Sequence, residues 1–492
     1  MNPLLTALYS VAAVRAIEAR AVQDSAIDLW TLMRRAGQVA FRALRARWPE
    51  ATRIVIVCGS GNNGGDGYVV AELARSLGLQ VALVQVGAAP ACEPAQRAVN
   101  AWHASGGEVL AYTGGSLPEA DLVVDALFGI GLDRAPEGMA AAAIAAINTQ
   151  SAPVFALDVP SGLDADRGHA PGACVHAAAT LAFVAWKRGL WTGVAARVCG
   201  ERQLATLEVP AGAFAGTDAD AELLGLPRLR TALAPRARDL HKGGCGHVLV
   251  IGGDHGHGGA ALLAARAAAH SGAGLVSVAT RAEHVAPILA SIPEAMVRAV
   301  ASSAELRGLI DRADVIALGP GLGQSDWGLQ MAAEACASAL PMVLDADALN
   351  LLAAARIQLP TDCVLTPHPG EAARLLGVEV GAIAQDRYAA VRELARRFRA
   401  IVVLKGAGSL VADRDGAVAV CPFGNPGMAS GGMGDALTGI IAALIAQGLG
   451  LVDAARVGVT VHALAGDRAA GNGERGLLAT DLIAELRMLV NP

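Results

Sequence analysis

Short, wholly apolar segments alternating with helical ones constrain this chain more than any other feature. RIVIVC at 53–58 opens the first series, which continues through 80–86, 122–125, 154–158 and 180–184. Strands that apolar have no face to give to water, so they predict a mostly parallel sheet covered on both sides. Helical spacing from Val14 to Trp48 precedes them, and 67–77 and 96–104 fit between them as helices. A second series runs through 247–252, 275–279, 315–318, 342–345, 363–366 and 401–404. A hairpin around Asp413-Arg414-Asp415-Gly416 and a helical last quarter, from Asp435 and again beyond Asp453, complete it. At 211–235 the pattern dissolves into Ala, Gly, Asp and Pro. The chain therefore reads as α/β in two domains, 1–212 and 234–492, with 213–233 as the linker.

At 492 residues the chain outgrows a single core, which agrees with that division. A formal net charge of −6 supplies no basic field for a nucleic acid, so none is expected as a partner. The eight cysteines (Cys58, Cys92, Cys174, Cys199, Cys245, Cys336, Cys363, Cys421) show neither C-x-x-C nor zinc spacing and read as small buried residues of a cytoplasmic protein. The apolar stretch at 4–14 lacks a preceding positive charge and runs on through Arg15, Glu18 and Arg20 as an amphipathic helix rather than a signal peptide. The run at 436–451, broken by Gln447 and Gly448, falls short of the roughly 20 residues of a membrane span. No membrane association is expected. Lysine is rare: Lys187, Lys242 and Lys405 stand in glycine-flanked turns of an arginine-rich chain. They are candidates for point-charge contacts to phosphate, against the alternative of three incidental surface charges.

Ligands of open parallel sheets bind beyond the carboxyl ends of the strands. In the first domain those ends carry Gly59-Ser60-Gly61-Asn62-Asn63-Gly64-Gly65-Asp66-Gly67, then Asp125-Ala126-Leu127-Phe128-Gly129-Ile130-Gly131, then Asp158-Val159-Pro160-Ser161-Gly162. The first matches G-x-G-x-x-G, but Gln85 stands where a ribose-binding Asp or Glu belongs. A hydride-transferring domain is thereby disfavoured, and anion binding at the turn survives. Asp125 and Asp158 each end an apolar strand, where an ionised carboxylate needs a partner. With Asn62 and Asn63 they suggest an all-oxygen cation site beside a phosphate cradle; hydrogen-bonded caps are the plainer account.

GNNGGDG, DALFGIG and DVPSGL, with the turn at Lys187-Arg188-Gly189-Leu190, resemble the NAD(P)HX epimerase family over about residues 10–212. The resemblance implies a Rossmann-like α/β/α sandwich that interconverts the (R) and (S) forms of hydrated NADH and NADPH. It implies a potassium ion on Asn63, Asp125 and Ser161. The substrate would lie on Asn62, Asn63, Gly64, Gly65, Asp66, Gly129, Ile130, Gly131, Leu132, Asp133, Arg134, Ala135 and Asp158. Asp158 is the expected acid–base residue.

In the second domain, Gly431-Gly432-Met433-Gly434-Asp435 runs straight into an apolar helix. Consecutive glycines and a helix N-terminus concentrate N–H groups on one spot, where a transferring phosphoryl group is stabilised. Asp435 stands where a general base for an acceptor hydroxyl belongs, or where an N-cap does. Glycine and charge also gather at Gly252-Gly253-Asp254, Gly319-Pro320-Gly321, Asp345-Ala346-Asp347, Thr366-Pro367-His368-Pro369-Gly370-Glu371 and Lys405-Gly406-Ala407-Gly408-Ser409.

These motifs resemble the ribokinase-like superfamily, and within it the ADP/ATP-dependent NAD(P)HX dehydratases, over about residues 225–490. The resemblance implies adenine nucleotide on Lys405, Gly406, Ala407, Gly408, Ser409 and Gly434. It implies the hydrated dinucleotide on Ala260, Gly321, His368 and Asp435, with Mg²⁺ as a cofactor. Asn is usual three residues before a magnesium-associated Glu; here His368 precedes Glu371. Asp345 and Asp347 stay open between metal, substrate and a helix cap, and Lys242 is placed near a phosphate. The expectation is a homo-oligomeric repair enzyme whose first domain epimerises NAD(P)HX. Its second domain would phosphorylate (S)-NAD(P)HX and expel phosphate, restoring NAD(P)H and leaving AMP or ADP. A small-alcohol kinase fused to a nucleotide-binding domain, and a non-catalytic scaffold, are the alternatives.

Overall fold

A computed structural model describes residues 5–24, 27–132 and 134–492, the side chain of Asn472 excepted. The chain divides into two units, Met1–Glu222 and Leu223–Pro492.

In the first unit, β1 (Arg53–Cys58), β2 (Gln80–Gln85), β3 (Val109–Ala111), β4 (Leu122–Ala126), β5 (Val154–Leu157), β6 (Ala179–Phe183) and β7 (Glu201–Ala205) form one sheet. Its order is β3-β2-β1-β4-β5-β6-β7, parallel throughout. The chain leaves β1 in both directions, so a topological switch point falls between β1 and β4, where such sheets bind ligands. Strands β4, β5 and β6 are buried at every residue, as their mostly apolar sequences require, Asp125 and Thr180 being the polar exceptions. The sequence reading missed β3 and β7. Each lies at an edge of the sheet and exposes part of its length, so neither needs an apolar run. Away from this sheet, Ala7–Tyr9 pairs with Trp186–Lys187, with Tyr9 opposite Lys187.

In the second unit the strands are β8 (His247–Ile251), β9 (Leu275–Thr280), β10 (Met296–Ala299), β11 (Val315–Leu318), β12 (Met342–Leu344), β13 (Cys363–Leu365), β14 (Ile401–Leu404), β15 (Ser409–Ala412) and β16 (Val418–Cys421). They run in the order β10-β9-β8-β11-β12-β13-β14-β15-β16. Pairing is parallel up to β14 and antiparallel across the closing hairpins. Again the switch point lies at the first strand, between β8 and β11.

Four helices position the sites: α1 (Asn62–Ser76), α2 (Gly258–His270), α3 (Pro369–Leu376) and α4 (Met433–Ala446). Helix α1 begins earlier than the expected 67–77 and absorbs Asn-Asn-Gly-Gly-Asp into its first turns. Glycine is a poor helix former, and burial of those residues against the sheet overrides the propensity. Helix α4 is apolar on nearly every side because it packs on α2, on the helix Leu451–Ala469 and on the sheet.

The segment 213–233 is not the structureless linker that its composition suggested. It contains the strand Ala221–Leu223 and the helix Leu226–Ala232, and Leu229 is buried in the second core. A Gly-Pro-rich sequence concealed two buried leucines, Leu224 and Leu229, and a proline at a helix start, all of which stabilise order. Among the described residues no helix is long and apolar enough to cross a membrane.

Candidate functional site

The loops after β1, β4 and β5 meet at the first switch point. Asp125, the fourth residue of β4, is fully buried and accepts from Ser161 Oγ at 2.6 Å and Ser161 N at 2.8 Å. Leu127 N donates to it at 3.2 Å. Burial pushes the Asp125 carboxyl up to about 6, against the hydrogen bonds from Ser161 and Leu127. Asn63, in the first turn of α1, is 8% exposed, yet neither its amide oxygen nor its nitrogen has a hydrogen-bond partner. Buried polar atoms are rarely left so, and an orphaned oxygen beside a carboxylate suits a ligand. Gly129 is where these loops touch: a Cβ there would lie 3.1 Å from Asp158 Oδ2 and 3.4 Å from Asn63 Cγ.

Asp158 follows β5 with φ of 63°, a left-handed conformation that a non-glycine residue holds only when its surroundings impose it. Its Oδ1 accepts from the Lys187 ammonium and from Phe183 N at 3.2 Å. Lys187, 1% exposed, also donates to Phe183 O at 2.7 Å. The expected contact of Lys187 with phosphate is therefore corrected. A buried ammonium needs a carboxylate more than a solvated anion does, and Asp158 supplies it. Burial, then Asp158 and Glu18, hold the Asp66 carboxyl well above its usual range, with Lys187 opposing. Glu18 was not among the sequence candidates. It belongs to the helix Val11–Asp24, and burial raises its carboxyl too, with Lys187 opposing and Asp158 adding to the rise. Of the predicted residues, Asn62 to Asp66, Gly129 and Asp158 converge, and Ile130 packs on the same core. Gly131 and Arg134 lie exposed farther along that loop, Leu132 and Ala135 are half-buried, and Asp133 lies outside the described residues.

The second site occupies the strand ends of β12, β13 and β14 and the start of α4. A cleft of about 400 Å³ is lined by Asp345, Ala346, His368, Glu371, Lys405 and Asp435, together with Pro369 and the glycines 406 and 434. Asp345, 1% exposed, accepts from Lys405 Nζ at 2.6 Å and from Thr438 Oγ1 at 3.0 Å. Burial raises the Asp345 carboxyl, but Lys405 outweighs it and leaves the group below the usual range. Lys405 also stands 3.8 Å from Glu371 Oε2. Burial would lower its ammonium, yet Asp345 and Glu371 leave it raised. A Cβ on Gly434 would lie 3.1 Å from Lys405 Nζ, so glycine brings the helix start close to that charge.

Asp435 lies in the first turn of α4, which a glycine with φ of 88° leads into. Burial pushes its carboxyl up to about 7, with Asp345 adding to the rise and Lys405 opposing it. Glu371 is likewise pushed up to about 7 by burial, again against Lys405. His368 caps α3. Its Nδ1 accepts from Gly370 N at 2.9 Å and Glu371 N at 3.4 Å, while His368 N donates to Glu371 Oε2 at 2.8 Å. That cap holds Nδ1 as an acceptor, so the neutral ring carries its proton on Nε2 and acts as a donor. Burial, then Lys405, lowers its pKa.

Ala260, in the first turn of α2, and Gly321, after β11, stand with their Cβ positions 3.2 Å apart at the β8/β11 switch point. Asp347 accepts from Gly323 N at 2.9 Å and so braces that loop. Ala407, Gly408 and Ser409 form the turn from β14 into β15, with Ser409 Oγ donating to the carbonyl of residue 406 at 2.9 Å. Arg387, which the sequence did not single out, is 5% exposed and donates through Nη2 to Leu404 O and Lys405 O, both at 3.2 Å. A buried Arg in an arginine-rich chain leaves no mark in the sequence. Lys242 precedes β8 and so stands at the opposite edge of the sheet; its placement near a phosphate is corrected. A larger cavity of about 900 Å³ lies at that edge. It is lined by Arg236, Arg266 and Arg487 with Glu294, and Arg236 donates to Gly272 O at 2.5 Å.

Among the described residues no three His, Cys, Asp or Glu side chains gather as a metal cage. An oxygen-only cation at Asn63, Asp125 and Ser161 is a different case, because two of its three donors are neutral.

Residues 248–488 match the family model described as NAD(P)H-hydrate dehydratase, and residues 30–189 match that of the YjeF-related protein N-terminus. A bifunctional NAD(P)H-hydrate repair enzyme of Coxiella burnetii is 48% identical over 99% of this chain and 100% of its own. Its counterpart in Escherichia coli is 44% identical over 97% and 93%. A solved ribokinase-like superfamily protein from Enterococcus faecalis V583 is 31% identical, covers 55% of this chain and 95% of its own, and superposes with a TM-score of 0.52. Identity of that degree spans both α/β units with their strand-end loops, and the chain belongs to the family of bifunctional NAD(P)H-hydrate repair enzymes.

Proposed function

We propose that the first unit epimerises hydrated NADH and NADPH and that the second dehydrates the (S) form at the expense of ADP or ATP. The observation that carries the second half is Asp435, a carboxyl raised to about 7 in the first turn of a glycine-led helix and facing Lys405. In its ionised form Asp435 takes the proton of the ring hydroxyl, whose oxygen attacks the terminal phosphorus. The bond from that phosphorus to the bridging oxygen breaks, and AMP or ADP leaves. The ring nitrogen's lone pair then expels phosphate as the C–O bond breaks. A proton leaves the adjacent ring carbon, and the double bond of NADH or NADPH is restored.

The N–H groups around Gly434, the loop from Lys405 through Gly406, Ala407 and Gly408 to Ser409, and the Lys405 ammonium hold the nucleotide phosphates. His368, Ala260 and Gly321 hold the dinucleotide, with the Nε2–H of His368 as donor. The nucleotide enters as its magnesium complex, the ion riding on the phosphates.

In the first unit Asp158 is the acid–base residue, and Asn62 to Asp66 with Gly129 to Ala135 hold the hydrated dinucleotide. Potassium fits Asn63, Asp125 and Ser161, and the partnerless Asn63 oxygen and the hydrogen-bonded Asp125–Ser161 pair support this. Bound there, the ion would supply fixed positive charge next to the substrate. Potassium should raise the melting temperature of the first unit over sodium or tetramethylammonium, and Asn63→Ala should abolish the difference. The working form is a cytoplasmic homo-oligomer, checked by light scattering of the full chain and by cell fractionation.

The deciding assay supplies each pure epimer of hydrated NADH with ATP or ADP and follows the reduced-nicotinamide absorbance. Both epimers should be recovered. A stable phosphorylated alcohol in place of NADH would overturn the reading.

A further inference from the structure

Asp345 has no place yet in the chemistry of the second unit, although it is the most buried carboxylate of the cleft. Three observations single it out. Its two oxygens are divided between groups of the reaction centre, Oδ1 to Lys405 Nζ at 2.6 Å and Oδ2 to Thr438 Oγ1 at 3.0 Å. It heads the helix Ala346–Ala353 without making the cap hydrogen bond that such a position invites, so its carboxylate is committed to the cleft rather than to its own helix. The next residue, Ala346, lines the cleft with φ of 48°, a left-handed conformation that alanine adopts only under constraint. The backbone is thus turned at the point that aims this side chain.

Lys405 is the other half. It leaves the end of β14, but its ammonium does not stay with its own glycine turn. It reaches the first turn of α4, where a Cβ on Gly434 would stand 3.1 Å from Nζ and 3.2 Å from Asp345 Oδ2. Thr438, one turn farther along α4, donates to Asp345 and so ties the carboxylate to the same helix.

We propose that Asp345 is a positioning residue for phosphoryl transfer, holding the Lys405 ammonium against the first turn of α4, where the transferring phosphoryl group must pass between nucleotide and acceptor hydroxyl. Lys405 then acts on the group in flight and not only on bound nucleotide. This rests on the reading of the second unit as a phosphoryl-transfer site. The groups facing Lys405 are Asp345 beyond β12, Glu371 and His368 on α3, Asp435 on α4 and His462 on the helix Leu451–Ala469. Of these, Asp345 makes the one contact within hydrogen-bond distance of Nζ.

The test compares the full-length wild type with Asp345→Asn and Thr438→Val, measuring kcat, KM and their pH dependence for dehydration, with epimerisation as an internal control. Without its carboxylate a buried ammonium loses its proton at lower pH. Asp345→Asn should therefore lower kcat by about a hundredfold and leave KM for the hydrated dinucleotide within about twofold. It should move the alkaline limb of kcat down by about one pH unit or more. Thr438→Val should move that limb the same way by less. An alkaline limb unchanged in Asp345→Asn, or a loss confined to KM for the nucleotide, overturns the proposal. If Asp345→Asn fails to give a cooperative melt of the second unit, Thr438→Val decides alone, and an unmoved limb there is equally fatal. A wild-type chain that produces no NADH sinks the reading of the unit itself, which separates the two failures.

Discussion

On the proposed reading, Asp435 and Asp158 divide the labour at the scale of single residues. Asp435→Asn removes a base and leaves the cleft's shape, so dehydration should fall by about a hundredfold or more while epimerisation is untouched. Asp158→Asn should do the reverse, and measuring both activities on each variant checks the pair. Because the Asp435 carboxyl is pushed up to about 7, the acidic limb of dehydration should fall near that pH rather than near 4. The same shift has a consequence for stability. A carboxyl raised in the folded state favours folding while protonated, and that advantage is lost as pH rises through about 7. Asp435→Asn should accordingly melt higher than wild type at pH 8 and no higher at pH 4, as calorimetry would show. Glu371, also near 7, contributes in the same direction and sharpens the dependence. Lys187 is the residue at which sequence reasoning went furthest astray. Its scarcity marked it out, but nothing in the turn at 187–190 told that its charge is turned inward. Lys187→Met should destabilise the first unit by about 3–5 kcal/mol, because it strands a buried carboxylate. A melting temperature within a degree of wild type would refute that.

At the scale of elements, strand ends and helix starts were readable and edges were not. Interior strands such as β5 and β11 carry no polar residue, and their apolar runs alone locate them. Edge strands β3, β7 and β10 are partly exposed, and their sequences differ little from those of loops. The glycine-rich start of α1 reads as a loop by propensity and is helical because its residues are buried. Arg387 belongs to this scale as well. From the helix Arg387–Phe398 it holds two consecutive carbonyls at the end of β14, which fixes where the turn after Lys405 presents its N–H groups. Arg387→Lys keeps the charge and loses the fork. It should raise KM for ADP or ATP several-fold with little change in KM for the hydrated dinucleotide. Equal changes in both would show only a general loosening.

For the whole molecule, the two proposed centres belong to different units with separate cores. An equimolar mixture of Asp158→Asn and Asp435→Asn chains should therefore restore conversion of both epimers. Persistent failure of that mixture would mean that the substrate is handed on within a single chain. The sequence by itself determined the α/β class, the two-part division, and the loops on which each site would be built, because strand period, glycine turns and helix starts are local properties. It also singled out Asp435 and Asp158 as candidates, because they stand beside their own motifs. Only the tertiary structure decided which charges meet. The pairs Asp158–Lys187 and Asp345–Lys405, the inward turn of Lys187, the partnerless Asn63 and the grip of Arg387 join residues 17 to 60 positions apart or depend on burial. Neither long-range proximity nor desolvation is written in the residues on either side.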